Sequence, residues 1–128
     1  MATASSIGPW ERERSVRGGT VPFVVSEELI ERAGKRLAEE AGPGARVFLF
    51  GSHARGDARA HSDLDFLVIE PEVSGRHAEM VRLRRALRGI EAPVDVIVYS
   101  EEQAERYART WGHVVRHALQ EGRLLAAS

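Results

Sequence analysis

The chain has 128 residues, a length that fits one domain and lets folding bury roughly two-thirds of the unfolded surface without staples. Its 43% hydrophobic and 29% charged residues are ordinary for a globular protein, and a net charge of -1 argues against a general nucleic-acid binder. Zero cysteines exclude disulfides, thiolate zinc sites and cysteine nucleophiles, and no apolar stretch is long enough to span a membrane.

Residues 1 to about 20 are mostly Ser, Gly, Arg and Glu with isolated Ile7, Trp10 and Val16, and read as a poorly ordered tail. They contain no apolar signal-peptide core, so a reducing, cytoplasmic setting is expected. Residues 21–128 are expected to form a single domain. Val21-Pro22-Phe23-Val24-Val25 is extended and apolar, with Pro22 confining it to an edge or a packed arm. Ser26 is placed to cap a helix, with Glu27 and Glu28 at its positive end and Val25 able to staple against Ile30. Leu29, Ala33 and Leu37 recur at helical spacing, and Gly42-Pro43-Gly44 stops the helix.

A short buried strand, 46–50, runs into Gly51-Ser52, and the polar stretch 53–62 holds a short helix. A second strand spans 64–69. Met80, Leu83, Leu87 and Ile90 then step by three and four along an amphipathic helix between Gly75 and Gly89. A third strand covers 94–99, and Ser100 with Gln103 forms a capping box that opens another helix. The last helix carries Val114, Val115, Ala118 and Leu119, with Gly122 at its C-terminal end. Strands alternating with helices predict an α/β fold around one small sheet. The link from Phe50 to Leu64 is barely long enough for a parallel crossover, so a mixed sheet is expected.

Of the 19 acidic residues only four are Asp: Asp57, Asp63, Asp65 and Asp95. The last three fall in strand segments, where Asp is depleted, and such misplacement marks a site. Asp63 and Asp65 are two apart and share one face of the strand. If the strand carrying Asp95 is its neighbour, three carboxylates converge. Their mutual repulsion is relieved by hard divalent cations, and an oxygen-only donor set favours Mg²⁺ or Mn²⁺. Two such ions can clamp the attacking and leaving oxygens of a phosphoryl or nucleotidyl transfer. Gly51-Ser52, between a strand and a helix start, offers a phosphate cradle, and Arg55 is within reach of the same phosphates. Ser62 is placed to cap or to hydrogen-bond a carboxylate.

The order strand, Gly51-Ser52, Arg55-Gly56, Ser62-Asp63-Leu64-Asp65, strand, and then Asp95 resembles the DNA polymerase β-like nucleotidyltransferase superfamily. Within it the chain is similar to the minimal nucleotidyltransferases (MNT), often partnered with HEPN-domain proteins. The resemblance covers about residues 26 to 125, and the ending from Val114 to Leu125 is similar to the C-terminal helix and turn of that group. The aromatic residue often found after the last leucines is replaced by Ala126. The resemblance implies a polymerase β-like fold in which Asp63 and Asp65 hold two Mg²⁺ ions. Asp95 completes the second metal site and serves as base toward the acceptor hydroxyl. Gly51 and Ser52 bind the triphosphate. It further implies AMP transfer from ATP to a tyrosine of a HEPN-type toxin ribonuclease, for which this chain is the antitoxin.

Two other readings stand beside this one. The chain neutralises its partner by binding alone, a role that needs neither the three Asp nor Gly51-Ser52. Or it transfers a nucleotide to a small molecule such as an aminoglycoside, against which the missing substrate domain counts. In haloacid-dehalogenase-like phosphatases and many glycosyltransferases an Asp-x-Asp pair follows a strand, whereas here it precedes one. Asp57 is expected in a loop or at a helix end. His113 and His117 are four apart but lack a third ligand, so a solvated or helix-end role is expected. His53 and His61 flank the phosphate loop in exposed positions. Arg82, Arg84, Arg85 and Arg88 read as a solvated face or a docking surface for an acidic partner or an RNA-bound complex. Trp111 is expected to pack as core or interface.

Overall fold

The computed structural model describes residues 25–56, 58 and 62–127. The N-terminal tail, most of the arm at 21–25, Asp57 and His61 therefore lie outside the described residues. Helix α1 (Glu27–Ala41) begins as its sequence dictates: the Ser26 hydroxyl accepts from the Leu29 amide at 3.1 Å, and Glu27 and Glu28 occupy the first turn. Its buried stripe is Ile30, Ala33, Gly34, Leu37 and Ala38, and it ends at Gly42. Strand β1 (Arg46–Phe50) leads into the one-turn helix α2 (Ser52–Arg55). Then come β2 (Leu64–Glu70), α3 (Arg76–Ala86), β3 (Val94–Ser100), α4 (Glu101–Ala108), α5 (Val114–Glu121) and β4 (Arg123–Ala127). The capping box at Ser100 is formed in both directions, Gln103 amide to Ser100 hydroxyl and Ser100 amide to Gln103 side chain.

The sheet is mixed, in the order β3-β2-β1-β4. The strands β1 and β2 run antiparallel, as the short link between them requires, while α3 carries the parallel crossover from β2 to β3. Strand β2 is central and buried on both faces. Leu64, Phe66 and Val68 meet α1 and α3, whereas Leu67 and Ile69 meet the layer built from α4 and α5. Fully burying a side chain the size of Phe66 contributes roughly 1.5–3 kcal/mol, so this strand anchors the molecule. No helix among the described residues is long and apolar enough to cross a membrane.

Two expectations are corrected. Residues 123–127 form a fourth strand, antiparallel to β1, where the sequence reads as helix end and turn. Arg-Leu-Leu-Ala-Ala has no alternation and little β propensity; tertiary pairing with β1 imposes the conformation. Gly122 sits at the end of α5 but in extended rather than left-handed backbone. Its smallness is what matters, because a Cβ there would strike the Ala118 carbonyl oxygen and come within 2.8 Å of that of Leu49. Trp111, expected as core or interface, is not core: it is 86% exposed, as an interface residue of the free chain would be, with the Arg116 guanidinium 4.6 Å from its ring centre.

One cluster of acidic side chains around an arginine lies at the far end of β2. Glu70 is 6% exposed and hydrogen-bonds Glu79, which with Glu40 engages Arg82. Burial first, then Glu79, pushes the Glu70 carboxyl up to about 8, so it is protonated at neutral pH. The basic run of α3 is thus partly consumed within the fold.

Candidate nucleotidyl-transfer site

Strand alternation puts Asp65 on the face of β2 that is covered further along by α4 and α5, and Asp63 immediately precedes the strand. Parallel pairing sets Asp95 of β3 directly opposite Asp65. The sheet itself therefore sets Asp65 and Asp95 side by side, and Asp63, one residue before β2, adds its charge to Asp65. Asp63 is exposed, Asp65 half-buried and Asp95 exposed. Burial, then the charges of Asp95 and Asp63, raise the Asp65 carboxyl from 3.8 to about 6, while His53 and Arg55 oppose the rise. Such elevation of one half-buried carboxyl is what burial beside like charges produces.

Gly51 lies beside them, at the end of β1 and across from Asp65 through the β1–β2 register. Its φ of +79° lies in the left-handed region, and a Cβ would run into Asp65 Oδ2. Only glycine leaves the Asp65 carboxylate where it is. Ser52 opens α2, and both the Ala54 and Arg55 amides bond back to the Gly51 carbonyl, which tightens the turn. His53 Nε2 lies 3.2 Å from the Ser62 carbonyl oxygen and ties this turn to the residue before Asp63. Arg55 reaches Glu121 of α5 at 3.5 Å.

Each sequence-predicted residue is placed around this corner of the sheet: Gly51, Ser52, Arg55, Ser62, Asp63, Asp65 and Asp95. The donor set is all oxygen, which fits Mg²⁺ or Mn²⁺. Among the described residues, no three His, Asp or Glu side chains are already gathered closely enough to enclose an ion. Sequence reasoning missed one participant. Arg84 of α3 places Nη2 3.4 Å from Asp95 Oδ1 and 3.5 Å from the Val94 carbonyl oxygen. Its only signal was membership of a basic run. His113, by contrast, takes the expected helix-end role, capping α5 by accepting from the Val115 amide and stacking on Tyr107.

A mixed sheet with a Gly-Ser turn and carboxylates on paired strands is a nucleotidyltransferase arrangement, and the chain belongs to the nucleotidyltransferase domain family, which matches residues 30–125. It is a nucleotidyltransferase whose fold recurs in minimal members of the class. It is similar to a chain of a toxin–antitoxin complex with AMP-PNP (21% identity, 77% of this chain and 73% of that chain, TM-score 0.51). A Sulfolobus solfataricus protein assigned as a nucleotidyltransferase is 25% identical over 76% of both chains, with a TM-score of 0.52. A chain of the complex between a tri-AMPylated Shewanella oneidensis HEPN toxin and MNT antitoxin is 17% identical, covering 80% of this chain and 74% of that chain, with a TM-score of 0.53. Compared with curated proteins, the chain has no match.

Proposed function

We propose that this chain transfers AMP from ATP to a hydroxyl, a tyrosine's, on a partner HEPN-type toxin, and is the antitoxin of that pair. The observation that carries the reading is the register of β2 and β3, which pairs Asp65 with Asp95 beside a glycine that makes room for the carboxylate. Asp63 and Asp65 hold divalent cations, and Asp95 completes the second position. Bound there, the ions supply positive charge to the attacking and leaving oxygens. Gly51 and Ser52 seat the triphosphate, and Arg55 and Ser62 border it. Asp95 accepts the proton of the acceptor hydroxyl. The hydroxyl oxygen then bonds to the α-phosphorus as the bond to pyrophosphate breaks. The toxin–antitoxin neighbours, one with AMP-PNP and one with an AMPylated toxin, support both the nucleotide and the partner.

Intact-mass spectrometry of the partner tests this. Incubation with ATP and Mg²⁺ should add one or more AMP units to the toxin, and its ribonuclease activity should stay low after the chains are separated. An unmodified toxin that recovers on separation, and is still inhibited by an Asp63→Asn variant, would leave inhibition by binding alone.

A further inference from the structure

We propose that Arg84 is the resting counter-ion of Asp95, a positioning residue that competes with a divalent cation for this carboxylate and so tunes how tightly that cation binds. The inference rests on the assignment of Asp63, Asp65 and Asp95 made above.

The topology makes Arg84 an outsider to the site. Among the described residues β3 is the terminal strand of the sheet, and α3 packs on the face opposite the aspartates. The Arg84 side chain therefore comes round the edge of β3 to reach Asp95, and anchors on the neighbouring Val94 carbonyl as well. A guanidinium satisfies a carboxylate by donating hydrogen bonds to it, the same lone pairs that a cation needs. Arg84 and a dication on Asp95 also repel each other, so the two occupants compete.

Exposure decides how strong the competition is. The Arg84 and Asp95 side chains are 60% and 51% exposed, and such pairs shift an equilibrium by only a few-fold. Arg84 thus tunes cation binding without blocking it. The other arginine of this helix with resolved ion pairs, Arg82, is committed to Glu79 and Glu40 at a distance from the site. Of these two, Arg84 is the one at the carboxylates.

Mn²⁺ titrated calorimetrically into the full chain, without nucleotide, provides the test. Arg84→Gln should bind Mn²⁺ about two- to fivefold more tightly than wild type. In an Asp95→Asn background the same substitution should change nothing. Melting curves confirm that these exposed substitutions leave the fold intact. Unchanged affinity in Arg84→Gln, or an equal gain with Asp95→Asn present, overturns the proposal. An Asp63→Asn, Asp65→Asn double variant serves as a separate control: wild-type Mn²⁺ affinity there defeats the site assignment itself, whatever Arg84 does.

Discussion

Replacing Asp65 by Asn should make the metal-free protein more stable while abolishing transfer. The Asp65 carboxyl stands at about 6 in the folded chain against 3.8, through burial first and then the charges of Asp95 and Asp63. A carboxyl held above its unfolded value favours folding only while it is protonated. Its cost to the fold grows as pH rises from about 4 and is complete above about 6. Two pH units correspond to a ceiling of about 3 kcal/mol, and because the group is half solvated the usable figure is about 1–1.5 kcal/mol. For a domain of this size that is a melting rise of about 3–8 °C. Thermal scans of wild type and Asp65→Asn in EDTA, from pH 4 to 8, read it directly. The variant should gain at pH 7 and show no gain at pH 4. Nucleotidyl transfer should fall by orders of magnitude, and Mg²⁺ with ATP should raise the melting point of wild type alone. An equal gain at pH 4 and pH 7 would refute the reasoning, because ionisation of Asp65 would then not be its source.

Gly51→Ala places a Cβ on Asp65 Oδ2 in left-handed backbone; we expect a loss of about 1–2 kcal/mol by denaturant melts and weakened Mn²⁺ binding even without nucleotide. Gly122→Ala drives a Cβ into two backbone carbonyls and should cost about 1–3 kcal/mol, with β4 losing amide protection in hydrogen exchange. Glu70→Gln keeps a donor toward Glu79 and removes a carboxyl raised from 4.5 to about 8, so its advantage over wild type should widen from about pH 5 and level off above about pH 8. A flat difference across that range would mean that Glu70 ionises normally.

The parts of this molecule that follow local rules are readable in the chain. Ser26 and Ser100 announce helix starts because a cap is a contact between residues three apart. The pairing of Asp65 with Asp95 is readable because strand alternation fixes the face and one crossover fixes the neighbour. What escapes are decisions made by distant residues. Strand β4 exists because β1 offers it a ladder and Gly34 offers Leu125 a seat against α1. Arg84 meets Asp95 because an edge strand lets a side chain from the opposite layer pass round it, and Arg55 finds Glu121 across 66 positions. Trp111 shows the converse: a large aromatic ring implies core or interface, and beside the turn at Gly112 the core half of that reading is overturned, with the ring exposed and the Arg116 guanidinium over it.

The pairing of β1 with β4 also sets a timetable. During synthesis β1 is complete about 70 residues before its second neighbour emerges, and at roughly 5–20 residues per second that interval lasts several seconds. Throughout it, one flank of Val47, Phe48 and Leu49 exposes unsatisfied amides and carbonyls next to apolar side chains, a template for adhesion to other chains. The nascent chain is therefore most vulnerable while α3 to α5 are still being made. A ribosome stall in that stretch should yield aggregated rather than merely truncated product.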